Sequence, residues 1–224
     1  MTKKGRLLEN LPKILAILKE ESARWPKPVA GTFVGETHAP FKILISTVLS
    51  LRTKDTTTGP ASRRLFELAD TPAKMIRLTA RRIEKTIYPV GFYRTKARNI
   101  LKICGLLLDR FKGQVPDEIE TLLTLPGVGR KTANLVVTVG YGKPGICVDT
   151  HVHRISNRWG IVKTDTPRET EFALRKLLPK KYWVGFNDRL VAYGQNLCVP
   201  VSPFCGRCRI NNFCPRISVR KSRE

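Results

Sequence analysis

Acidic side chains are scarce in this chain of 224 residues: 18 Asp plus Glu stand against 41 Lys plus Arg, a formal net charge of +23. So large an excess excludes an acidic-surface function and calls for a polyanion, with nucleic acid the expected partner. Long apolar runs are missing too. No window approaches the roughly 18 uninterrupted apolar residues that a membrane span needs. The start, Met1 to Lys13, carries Lys3, Lys4, Arg6 and Glu9 without the apolar core of a secretory signal. A cytoplasmic, nucleoid-associated location in a prokaryote is therefore expected, with no membrane contact. Asn-Gly and Asp-Gly turns between period-two runs are absent, which predicts little or no sheet. Disorder is excluded as well, because apolar residues reach 42% and fall in periodic blocks.

What is present is helical. Leu7, Leu8, Leu11, Ile14, Leu15 and Leu18 recur at three- and four-residue steps, predicting one amphipathic helix that Trp25-Pro26-Lys27-Pro28 ends. Phe41, Leu44, Ile45, Val48 and Leu49 predict a helix of low charge deep in the core. Thr71 before Pro72 is a helix start, since a hydroxyl caps while the proline's missing N–H costs nothing in the first turn. Asp117 with Glu120, and Thr166 with Glu169, have capping-box spacing. The expectation is an all-α protein of roughly ten short helices.

Basic residues cluster. Arg81, Arg82, Lys85, Arg94, Lys96, Arg98 and Lys102 face a single acid, Glu84, and the segment after Cys198 holds six basic residues against Glu224 alone. Binding through phosphates should weaken steeply with salt. The run Leu122 to Val139 then predicts two helices joined tightly, the first ending near Leu125 at Pro126, the turn made by Gly127, Val128 and Gly129, the second beginning at Arg130. Unpaired N–H groups at that start, with the helix dipole, suit a phosphate. Lys131 lies in the first turn, where the dipole and Arg130 disfavour its ammonium form. It reads equally as a nucleophile of lowered pKa, able to form a Schiff base, or as a phosphate-binding lysine. Asp149 reads as an N-cap whose bonded carboxylate stays ionised, compatible with stabilising a cationic sugar. His151 and His153, two apart, do not share a helix face and read as structural.

Six cysteines in so long a chain do not read as a disulfide scaffold. Cys104 and Cys147 stand alone in apolar stretches, whereas Cys198, Cys205, Cys208 and Cys214 have ligand spacing. Four thiolates could hold zinc or an iron-sulfur cluster, although only Cys205 and Cys208 form the two-residue knuckle that zinc ribbons use twice.

The Leu-Pro-Gly-Val-Gly-Arg-Lys-Thr-Ala-Asn run, the Val148-Asp149-Thr150-His151 run and the terminal cysteine pattern, in this order, resemble the endonuclease III family of helix-hairpin-helix DNA glycosylases with AP-lyase activity. The similarity extends from about Phe33 to Cys214. It implies a two-lobed all-α fold: residues 33–143 as a contiguous lobe with the hairpin at about 117–139, and residues 1–32 with 144–224 as the other, ending in a cluster loop at 198–214. DNA would lie in the cleft between the lobes. It further implies Lys131 as the nucleophile toward C1′, Asp149 as the catalytic aspartate, and one 4Fe-4S cluster on Cys198, Cys205, Cys208 and Cys214, presenting Arg207 and Arg209 to DNA. Leu125, Gly127, Val128, Gly129 and Arg130 would grip the backbone. Phe92 matches the apolar wedge of the family, with Arg94, Lys96 and Arg98 as basic neighbours. Arg52 stands where relatives often carry the glutamine that fills the gap left by the flipped base; it could fill that gap too, but its fixed fork of donors would read the opposite base differently. The implied enzyme is a monomeric, bifunctional glycosylase/AP lyase acting on oxidised pyrimidines or abasic sites in double-stranded DNA. The alternatives are a T/G or U/G mismatch glycosylase of the same superfamily and, from another class, a non-enzymatic DNA-binding hairpin module.

Overall fold

A computed structural model describes residues 3–25 and 29–224. The chain divides into two compact units, one contiguous over Val29–Gly145, the other built from Met1–Pro28 with Ile146–Glu224. All regular structure among the described residues is helical.

The N-terminal helix expected from Leu7 to Leu18 is two helices, α1 (Lys3–Glu9) and α2 (Leu11–Ser22). Pro12 explains the break. It has no N–H for the Leu8 carbonyl, and its ring would crowd that carbonyl, so it starts a helix instead of continuing one. The apolar stripe survives, with Leu7, Leu11, Ile14, Leu15 and Leu18 all buried. α2 ends at Ser22, ahead of the predicted stop, whose Pro26, Lys27 and Pro28 lie outside the described residues.

The contiguous unit begins with a 3-10 turn at Val29–Phe33 and holds α3 (Ala39–Ser50), α4 (Asp55–Leu68), α5 (Pro72–Met75), α6 (Ala80–Ile87), α7 (Tyr93–Phe111), α8 (Ile119–Leu122) and α9 (Arg130–Leu135), the last running into a π-helical turn at Val136–Gly140. α3 is its axis. Phe41, Ile43, Leu44, Ile45, Val48 and Leu49 are all buried, and the helix packs on α4, α7 and α9. A helix with so few charges can be covered on every side, which is why α3 sits at the centre. Thr71 caps α5 as expected, its hydroxyl accepting the Lys74 N–H at 3.2 Å, and Thr79 does the same for α6. The expected Asp117 cap is not formed. Glu118 precedes α8 without a side-chain cap, and Lys143 draws the Asp117 carboxylate into an ion pair at 2.6 Å instead.

In the other unit, α10 (Thr150–Arg158), α11 (Pro167–Leu177) and α12 (Phe186–Asn196) enclose a core in which Val152, Ile155, Trp159, Leu174, Phe186, Leu190 and Tyr193 join the stripe of α1 and α2. Thr166 caps α11 by accepting the Glu169 N–H, and Glu169 reaches back one residue beyond the usual box to the Asp165 N–H at 2.9 Å.

Candidate functional site

Gly127 and Gly129 make the hairpin differently from each other. Gly127 has φ +77°, which favours glycine, and a Cβ there would lie 2.8 Å from Asn99 Nδ2, the end of a side chain that would have to swing aside. Gly129 has φ −99°, is the N-cap of α9, and would meet nothing within 4 Å if it carried a Cβ, so neither its backbone nor its surroundings require glycine. The first helix also stops earlier than expected, at Leu122, with turns carrying the chain to Leu125. Leu125 and Val128, expected at the DNA, bury their side chains in the core, and the Val128 N–H is already bonded to the Leu125 carbonyl at 3.1 Å. Arg130 pairs with Glu120 across the hairpin at 3.3 Å. Lys131 follows, half-buried, as the second residue of α9.

Asp149 is the N-cap of α10, as its sequence context requires. One carboxylate oxygen accepts N–H bonds from His151 and Val152, each at 2.9 Å, and the residue is buried. His151 and His153 have structural partners, His151 beside Arg154 and His153 beside Thr170.

Arg52 and Phe92 are brought together. The Arg52 guanidinium lies 5.6 Å from the Phe92 ring centroid, Phe92 is 61% exposed, and both residues have left-handed backbone, φ +54° and +57°. Lys96 is not the exposed cation its neighbours made it look. It is buried, with Nζ donating to the carbonyls of Leu49 at 2.7 Å and Leu51 at 2.6 Å and to Thr53 Oγ1 at 3.1 Å. Burial lowers its amine from the ordinary 10.5 to about 8.

The four terminal cysteines border one pocket with Trp159, Leu197, Phe204 and Ile210, while Cys104 and Cys147 are buried elsewhere. Donors already face the sulfurs. Arg158 Nη1 lies 3.4 Å from Cys198 Sγ and the Tyr193 hydroxyl 3.0 Å from Cys208 Sγ. Asn211 Oδ1 is buried in the same wall without a partner. Burial raises the Cys208 thiol and pushes Cys214 up to about 11, so a cation would be needed to stabilise their thiolates. Among the described residues no three His, Cys, Asp or Glu side chains already stand as a ligand shell. The all-sulfur donor set and the N–H and O–H groups aimed at it nevertheless suit an iron-sulfur group. Arg209, expected at DNA, is held by Glu20 at 2.9 Å and Glu21 at 3.2 Å, because these acids of α2 reach it first.

The family described as HhH-GPD superfamily base excision DNA repair protein matches residues 45–180. Endonuclease III of Thermotoga maritima is 50% identical over 175 residues, 78% of this chain and 82% of that one. The chain belongs to the endonuclease III family. A solved structure described as a trapped endonuclease III–DNA covalent intermediate is 37% identical, with a TM-score of 0.79 over 96% of this chain and 97% of that one. A thermostable thymine-DNA glycosylase, 23% identical with a TM-score of 0.79 over 96% of each, shares the fold.

Two arginines of this endonuclease III relative escaped the sequence reading. Arg154 donates to the carbonyls of Gly194 and Cys198, and Arg158, itself buried, donates to those of Val199 at 2.7 Å and Pro200 at 2.6 Å. Together they pin the chain that follows the first cysteine. Their spacing of four on a helix is the signal that could have found them, since it places both on one face of α10.

Proposed function

We propose that the chain is a bifunctional DNA glycosylase/AP lyase of base-excision repair that removes oxidised pyrimidines from double-stranded DNA. The target nucleotide leaves the stack, since C1′ is screened within it. The Lys131 Nζ lone pair attacks C1′, and the bond to the base breaks with its electron pair departing on the base. The attached amine gives up a proton, the C1′–O4′ bond breaks with its electron pair going to O4′, which takes up a proton, and a protonated imine forms between C1′ and Nζ; removal of a C2′ proton into that imine then expels the 3′ phosphate by β-elimination. Asp149 has the role of an ionised carboxylate that stabilises the cationic sugar or accepts the proton of the nucleophile. Gly127, Gly129 and Arg130 serve the DNA backbone, Phe92 the wedge and Arg52 the gap left by the flipped base.

One observation carries this reading: Lys131 opens the helix after a glycine turn, in a chain that matches an endonuclease III caught covalently on DNA. Cys198, Cys205, Cys208 and Cys214 would hold a 4Fe-4S cluster, which when bound supplies a structural cross-link and no step of the strand cleavage. The enzyme would work as a cytoplasmic monomer on chromosomal DNA.

Borohydride is expected to trap the wild type on abasic DNA, and Lys131→Gln to lose trapping while retaining duplex binding. Trapping undiminished in Lys131→Gln would remove this lysine from the chemistry. A panel of single-lesion duplexes separates oxidised pyrimidines from the mismatch alternative, in which mismatched thymine or uracil would be removed, without strand cleavage, in place of thymine glycol.

A further inference from the structure

A non-glycine residue in left-handed backbone persists only where its surroundings hold it, and Arg52 and Phe92 both adopt that backbone, on separate loops. What holds them converges on Lys96. This lysine, in the first turn of α7, is 6% exposed, and its three ammonium hydrogens have three acceptors: the carbonyls of Leu49 and Leu51 and the hydroxyl of Thr53. Leu51 and Thr53 are the residues on either side of Arg52, so the backbone is tied before and after it. The same Thr53 hydroxyl accepts the N–H of Gly91 at 3.2 Å, the residue before Phe92. The two loops touch there, because a Cβ on Gly91 would stand 3.0 Å from the Arg52 carbonyl oxygen. One buried cation and one hydroxyl thus hold the backbone of both loops from which the exposed Arg52 and Phe92 side chains project, with the guanidinium 5.6 Å from the ring centroid.

We propose that Lys96 is a positioning residue for base excision: it locks the Arg52 and Phe92 loops together, so that Arg52 meets the base opposite the extruded nucleotide in one orientation and sets the opposite-base preference. The inference rests on the glycosylase reading above. In this role Lys96 touches neither the DNA nor the reacting atoms. It acts through Arg52, and its loss should change selectivity more than chemistry.

The test compares single-turnover excision of thymine glycol opposite adenine and opposite guanine. Wild type, Lys96→Met, Thr53→Val, Arg52→Ala and the Arg52→Ala/Lys96→Met double variant are used, each also assayed for borohydride trapping on a preformed abasic site. Wild type is expected to prefer one partner base by about tenfold, the scale of one bidentate base contact. Lys96→Met should bring that ratio close to one while trapping stays within about twofold. The double variant should be no less selective than Arg52→Ala, as for two residues acting as a unit. Thr53→Val, which removes only the shared hydroxyl, should lower the ratio part of the way, and it decides the matter if Lys96→Met does not fold. A wild-type ratio of one, a ratio unchanged in the variants, or fully additive losses in the double variant would overturn the role of Lys96. Failure of wild type to trap at all strikes the glycosylase/lyase reading instead.

Discussion

Lys96 also shows how a single buried amine makes stability depend on pH. Its amine titrates near 8 in the folded chain, against about 10.5 when solvated. Between these values the unfolded chain keeps a proton that the folded chain has released, so this side chain's contribution to stability rises with pH. Below about 8 both states carry the proton and the slope vanishes. Lys96→Met has no such group. The difference in urea midpoint between wild type and Lys96→Met is therefore expected to shift in favour of wild type from about pH 7.5 to about pH 10; a flat difference across that window would mean that the folded amine titrates normally. At this scale the sequence was legible where a residue's neighbours in the chain define its role. Asp149 caps the helix that starts one residue later, and Thr71 likewise. It misled where the decisive partner is remote: Lys96 bonds to Leu49 and Leu51, more than forty residues earlier. A basic run displays charge but not the direction in which each cation points.

The hairpin shows what an element asks of its residues. Gly127 combines φ +77° with a side chain, Asn99, 2.8 Å from where a Cβ would be, whereas Gly129 has ordinary φ and open space around it. Gly127→Ala is expected to lower stability by about 1–3 kcal/mol, chiefly from positive φ, and Gly129→Ala by less than about 1 kcal/mol. Denaturant unfolding of the two variants checks the order, and equal losses would show that the turn does not depend on the left-handed residue. The glycine pair was readable as a turn from sequence, but which glycine bends the chain was not, since one residue apart both stand in the same Gly-Val-Gly pattern. Proline told more. Pro12 divides the N-terminal stripe into α1 and α2, although the periodicity of Leu7 to Leu18 runs through it without interruption.

At the level of the whole molecule, the helical class and the order of motifs were legible because each helix declares itself by its own spacing and caps. The assembly of Met1–Pro28 with Ile146–Glu224 rests on contacts across the entire chain, which local patterns do not encode. Four cysteines near the C-terminus offer a staple for the last part of that unit, residues 198–214. Anaerobically purified protein is expected to be yellow-brown, absorbing broadly at roughly 400 nm as thiolate-bound iron does, and removal of the metal should lower its thermal midpoint. Colourless protein with stoichiometric zinc would assign the site to the other metal that four thiolates accept.

The division of the unit that carries α2 has a consequence on the ribosome. Leu11, Ile14, Leu15 and Leu18 emerge early, yet the residues that cover them follow only after Val29–Gly145 has been made. At ~5–20 residues per second the nascent helix waits on the order of ten seconds with its greasy side bare, long enough for a chaperone to find it, while the intervening segment can already collapse around α3.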